Sequence, residues 1–146
     1  MKRVFVLFAV MFIFLACNST SAQNTNDPKV IEIDRSQFLE LVYNYEKNPQ
    51  SWVYEGNKPC IVDFYADWCG PCKALSPRLA KLAKEFGGKI VIYKVNIDKE
   101  QQMARAFGIS SIPALLWCPS KGEPAFTQGA LPEDALRKRI EEFLLK

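Results

Sequence analysis

The stretch Cys60-Ile61-Val62-Asp63-Phe64-Tyr65-Ala66 is apolar almost without a break, and it runs directly into Asp67-Trp68-Cys69-Gly70-Pro71-Cys72-Lys73. A short apolar run rich in β-branched and aromatic residues predicts a central strand buried on both faces. Behind Cys72, the residues Leu75, Leu79, Leu82, Ala83 and Phe86 recur at helical spacing until Gly87-Gly88 stops the helix. Pro77 lies inside that helix and is expected to kink it. A two-face-buried strand feeding a helix through a pair of cysteines leaves few architectures open, and the rest of the chain narrows them further.

Val30-Ile31-Glu32-Ile33 reads as a short strand. Asp34 or Ser36 can cap a helix carrying Phe38, Leu41, Val42 and Tyr45, which Asn48-Pro49 ends. Gln50 to Pro59 reads as a loop. Ile90 to Ile97 is a second buried strand, and Lys99 to Phe107 a short helix closed by Gly108. Ala114 to Cys118 and Ala125 to Gln128 are two more strands, joined by a tight Lys121-Gly122 turn. Leu131-Pro132-Glu133-Asp134 opens a terminal helix with Leu136, Ile140, Phe143 and Leu144 inward. The order is β-α-β-α-β-α-β-β-α. Strands separated by helices imply parallel pairing, and the last two imply an antiparallel hairpin. No internal repeat or linker divides the chain.

Composition excludes several chemistries. The chain of 146 residues has no histidine. That removes Ser-His-Asp and Cys-His nucleophile systems and every histidine metal ligand. Taking Lys2 and Arg3 from its 19 basic residues leaves a near balance with 16 acidic ones. Nucleic acid, which needs a concentrated basic footprint, is not expected as a partner.

Lys2 and Arg3 are set aside because residues 1–22 read as an export signal. A basic start precedes an unbroken apolar run, Val4 to Ala16. That run is shorter than the ~20 residues an ordinary membrane span requires, and it suits the apolar core of a secretory signal. Two processing readings stand side by side. Thr20-Ser21-Ala22 places small residues for cleavage before Gln23, giving a soluble exported protein. Leu15-Ala16-Cys17 is similar to the end of a bacterial lipoprotein box, giving a chain lipid-anchored through Cys17, although Phe14 matches that box poorly. An uncleaved anchor is the third possibility. Residues 23–29 form a polar leader, and residues 30–146 the folded domain. Export places the domain where disulfides persist.

The chemistry sits at Cys69-Gly70-Pro71-Cys72. Two cysteines three positions apart at a helix start can close a small disulfide ring without unwinding the helix. Unpaired N–H groups and the helix dipole at that end favour a thiolate on the first cysteine. The second lies a turn further in and is expected to be less exposed. This asymmetry serves dithiol exchange: Cys69 is attacked or attacks, and Cys72 resolves the mixed disulfide. A zinc site would need Cys60 and Cys118 as further ligands, and both fall inside expected strands rather than on a second knuckle. A purely structural disulfide remains open, though so small a ring constrains little of the unfolded chain.

Val62 to Lys73 resembles the active-site segment of the thioredoxin family. Ile109-Ser110-Ser111-Ile112-Pro113-Ala114-Leu115-Leu116 is similar to the family's Ile-Pro segment, and Gln128-Gly129-Ala130-Leu131 to its glycine turn. The likeness runs from about Val30 to the C-terminus. It implies an α/β thioredoxin fold, a central mixed sheet of parallel strands plus a C-terminal antiparallel hairpin, flanked by helices. It implies Cys69 as nucleophile, Cys72 as resolving thiol, and a Cys69–Cys72 disulfide in the oxidised form. Asp63 would be the buried proton acceptor under Cys72, and Lys94 a modulator of it, although a solvated lysine at the sheet edge is the competing reading. Pro113 would be a cis-proline facing the disulfide. Ile112 would offer backbone hydrogen bonds to an extended substrate, and Trp68, Gly70 and Pro71 would shape the docking surface. Tyr65 and Ala114 depart from the residues common in the family. Cys60 and Cys118 are extra; they are expected on neighbouring strands at the end remote from the active site, either as two buried thiols or as a second disulfide.

The expectation is a thiol–disulfide oxidoreductase acting on cysteines of protein substrates in a bacterial envelope. No metal or organic cofactor is called for, and a monomer suffices. The Gly-Pro pair between the cysteines is the one reducing members carry, which favours the reducing direction with an inner-membrane electron donor. A disulfide oxidase or isomerase is the alternative within the class. A redox-inactive protein-docking module is the alternative outside it.

Overall fold

The computed structural model describes residues 30–146. The expected export signal, the leader and Cys17 lie outside the described residues. The elements are β1 (Val30–Glu32), α1 (Arg35–Leu41), β2 (Cys60–Tyr65), α2 (Gly70–Glu85), β3 (Val91–Asn96), α3 (Gln101–Ala106), β4 (Ala114–Cys118), β5 (Ala125–Gln128) and α4 (Glu133–Arg139). A π-helical turn, Ile140–Leu144, continues α4. The sheet order is β1-β3-β2-β4-β5. β1, β3 and β2 are parallel, and β4 and β5 are antiparallel to their neighbours. The element order and mixed sheet are those expected from the sequence.

The two-residue alternation of strands sorts side chains between two core layers. On one face, Ile61, Ile92, Leu115 and Trp117 meet Leu75, Leu79 and Leu82 of α2 and Leu136 of α4. On the other, Val62, Phe64, Val95 and Leu116 meet Phe38 of α1 and Met103 of α3. All of β2 is buried, as a strand covered on both faces must be. Asp63 shares its face with Ile61, so it points into the layer beneath α2.

Two expectations are corrected. α1 ends at Leu41, well before Asn48-Pro49. Its capping box on Asp34 and Gln37 fixes the start, but the chain then turns so that Tyr43 bridges Tyr54 and Val42 O accepts the Glu55 N–H. Aromatic packing decides this: Tyr43 lies 4.5 Å from Trp52 and Tyr45 lies 5.6 Å from Phe107, ring centre to ring centre. The helical spacing of Tyr45 therefore reflects this cluster and not another turn of helix. The hairpin is not tight: Trp117 pairs with Ala125, which leaves Pro119 to Pro124 in the connection, with Gly122 at φ 92°. Two prolines without N–H groups cannot extend the ladder. Pro77 lies inside α2, as expected, and the helix continues past it to Glu85.

Candidate active site

Cys69 follows β2 and caps α2. Its backbone is extended (φ −77°, ψ 108°), and its Sγ accepts the Cys72 N–H at 3.2 Å. Pro71 fits in the first turn, where the missing N–H has no helical partner to lose. The structure is the oxidised form, with a Cys69–Cys72 disulfide and Cα atoms 5.3 Å apart. The anticipated difference in exposure is absent: Cys69 is 3% and Cys72 2% exposed. The asymmetry is positional, since Cys69 alone sits at the helix end and takes the N–H bond. Reduced, that sulfur would be stabilised as thiolate by the same N–H and by the helix dipole.

The disulfide packs with Tyr65, Ala66 and Ile112. The Ile112–Pro113 bond is cis. Gly129, at φ 87°, donates its N–H to Pro113 O at 2.8 Å and so ties the end of β5 to this loop. A left-handed φ of this kind is open to glycine at little cost.

Trp68 is 69% exposed, yet it is anchored, because its indole Nε1 donates to Asp98 Oδ2 at 2.9 Å. Asp98 is itself placed by Asn96, whose Oδ1 accepts the Asp98 N–H at 3.0 Å and whose Nδ2 donates to Asp67 Oδ2 at 3.2 Å. The sequence reading missed Asn96 and Asp98. The available signal was a polar residue closing an otherwise apolar strand: Asn96 is buried, and a buried amide must find partners.

Asp63 is 2% exposed, and its Oδ1 has no hydrogen-bond partner among the described residues. Burial pushes its carboxyl up to about 7, with Lys94 acting in the opposite sense. Lys94 stands beside Asp63 in register on β3, half-buried, with its ammonium 4.6 Å from the centre of the Tyr65 ring and 3.6 Å from Glu32 Oε2. Lys94 thus neighbours the acid in register and also reaches the edge strand through Glu32.

Cys60 and Cys118 are paired in register on β2 and β4, buried and unbonded. Burial raises the Cys118 thiol well above its ordinary range, and hydrogen bonding to Cys60 adds to this. They lie in the layer opposite Asp63, at the far end of β2 from Cys69. No cluster of three metal-ligating side chains occurs among the described residues.

Comparison with known proteins agrees with this geometry. The thioredoxin family model matches residues 40–142. The chain is 43% identical to a thioredoxin of Borreliella burgdorferi over 77% of its own length and 96% of that protein. It is 41% identical to the M-type chloroplast thioredoxin of Spinacia oleracea, covering 66% of this chain and 55% of that longer protein. Among solved structures, a mutant thioredoxin from Halobacterium salinarum superposes with a TM-score of 0.62 at 28% identity, over 80% of this chain and 92% of that one. Chloroplastic thioredoxin z superposes at 0.65 with 24% identity, over 78% and 93%. The fold, a cysteine pair at a helix start, and the match to nearly the whole of the Borreliella thioredoxin agree: the chain belongs to the thioredoxin family and is a thiol–disulfide oxidoreductase acting on protein thiols and disulfides.

Proposed function

We propose that this protein is an exported disulfide reductase of a bacterial cell envelope, working as a monomer. Cys69 at the N-cap of α2, disulfide-linked to Cys72, is the observation that carries the chemistry. In the reduced protein the Cys69 thiolate attacks one sulfur of a substrate disulfide. A Cys69–substrate mixed disulfide forms, and the other substrate sulfur leaves as a thiolate and takes a proton. Asp63 accepts the Cys72 proton. The Cys72 thiolate then attacks Cys69 Sγ, the Cys69–Cys72 bond forms, and the second substrate thiol is released. Two electrons pass from the dithiol to the substrate. Trp68, Gly70 and Pro71 form one side of the docking surface, and the free backbone of Ile112 before Pro113 the other.

The reducing direction follows from the Gly-Pro pair between the cysteines, and export from the basic and apolar start of the chain. Both imply that electrons come from a donor in the inner membrane, with either a free N-terminus at Gln23 or a lipid on Cys17. The equilibrium potential of the Cys69/Cys72 couple tests the direction, measured on the protein lacking residues 1–22 against a dithiothreitol series. A value near −270 mV, about that of thioredoxin, is expected; one above about −200 mV would make the protein an oxidant or isomerase. Fractionation of cells making the full chain tests the location: the protein belongs in the envelope, and recovery at full length in the cytosol would contradict export.

A further inference from the structure

Glu32, Lys94 and Asp63 form a row across three neighbouring strands. Glu32 of β1 pairs in register with Lys94 of β3, and Lys94 pairs in register with Asp63 of β2. Strand alternation puts all three on the α2 face, because Val30, Ile92 and Ile61, each two residues earlier on its own strand, pack in that layer. One ammonium thus stands between two carboxyl groups of different character. Glu32 is 42% exposed in its side chain and is shared by Lys94 at 3.6 Å and Lys99 at 3.0 Å. The Lys99 hydrogen bond, with Lys94 and the Tyr65 hydroxyl, holds its carboxyl below the usual range. Asp63 is buried with an unpartnered oxygen. Of the ionisable groups, β3 places Lys94 in register with it, β2 carries Tyr65 two residues on along the same face, and Cys72 at the start of α2 is tied in the disulfide. Lys99 is engaged by Glu32, and β4 places only Leu115 opposite Asp63.

We propose that Glu32 is a positioning residue that draws the Lys94 ammonium toward the sheet edge and away from Asp63, and so sets the pH at which Asp63 gives up its proton. An ammonium closing on Asp63 would favour the carboxylate and strip it of its use as a proton carrier near neutral pH. Glu32 prevents this by offering a better solvated, ionised partner on the opposite side, and the face of the Tyr65 ring, 4.6 Å from the ammonium, favours the cation in that position. The functional consequence rests on the role given to Asp63 above; the electrostatic claim does not.

The test follows the Asp63 carboxyl carbon by NMR across a pH titration of the oxidised protein, in the wild type, Glu32→Gln, Lys94→Gln and the double variant. Glu32→Gln is expected to lower the Asp63 midpoint by ~0.5 pH unit, a half-exposed pair being screened relative to a buried one. Lys94→Gln is expected to raise it. In the Lys94→Gln background, Glu32→Gln should shift it by less than ~0.2 unit, because the effect travels through the lysine. An unchanged or raised midpoint in Glu32→Gln, or an equal shift in both backgrounds, overturns the proposal. General loosening would hydrate Asp63 and lower its midpoint as well, but it would do so equally in the Lys94→Gln background and would lower the melting temperature, so the double variant and thermal unfolding separate the two. The reading does not depend on turnover, so a failure of Asp63 as proton acceptor would appear separately, in the kinetics of Asp63→Asn.

Discussion

The indole N–H of Trp68 lies 2.9 Å from Asp98 Oδ2, although the two residues belong to different loops and the ring is largely in solvent. An aromatic side chain beside the reactive cysteine is thus held in one orientation by a hydrogen bond instead of by burial. Replacing Asp98 with Ala frees the ring. A charge-assisted bond at an exposed site contributes about 1 kcal/mol, which predicts roughly a five-fold loss in kcat/KM toward a protein disulfide, with the reduction potential unmoved. Steady-state reduction of a protein disulfide and a redox titration of the same variant check both halves.

Asp63 makes stability depend on pH in a defined direction. Its folded value near 7 lies above that of an unfolded carboxyl, so the native state holds a proton that the unfolded chain releases. Between about pH 4 and pH 7, raising the pH therefore destabilises the fold through this group, and the penalty is complete above that window. Asp63→Asn removes it. The variant should gain up to about 4 kcal/mol at pH 8.5, shrinking toward zero below pH 4. Urea unfolding at the two pH values measures the difference. The same variant should lose rate in the resolving step, seen as slower release of substrate from the mixed disulfide.

Cys60 and Cys118 should behave as buried packing groups. In the oxidised protein lacking residues 1–22, Ellman's reagent should find no reactive thiol in the native state and both thiols after denaturation without reductant. Substituting Ser at Cys118 should cost about 1–3 kcal/mol, the penalty for a buried hydroxyl lacking a full set of partners, whereas Ala costs a cavity term instead. Neither should alter the Cys69/Cys72 potential.

Phe38 is fully buried and packs edge-on against Phe107 at 5.2 Å. It joins α1 to α3 and to the aromatic segment that includes Tyr43, Tyr45 and Trp52. Phe38→Ala should cost about 3–5 kcal/mol in urea unfolding, while activity per folded molecule stays close to wild type.

The strand before Cys69 and the helix behind it were legible because β2 is buried on both faces and α2 keeps a strict apolar stripe, so local pattern and tertiary environment agree. The cysteine pair and Asp63 were legible for a related reason: an acid within an apolar strand has few bland explanations. The end of α1 was not legible. Tyr45 satisfies helical spacing, and only the aromatic partners brought from Trp52 and Phe107 reveal that it belongs to a turn. Asn96 and Asp98 were passed over because their role depends on a loop meeting Trp68 across a sequence separation that no local pattern records. Glu32 escaped for the same reason, since strand order, not sequence, sets it beside Lys94.

The central claim is that Cys69 attacks and Cys72 resolves. Reacting reduced Cys72→Ser with a protein disulfide and resolving the products on a non-reducing gel tests it directly. A mixed disulfide through Cys69, released by dithiothreitol, should accumulate, and Cys69→Ser should form little or none. Accumulation in Cys69→Ser through Cys72, or no adduct in either variant, would contradict the account.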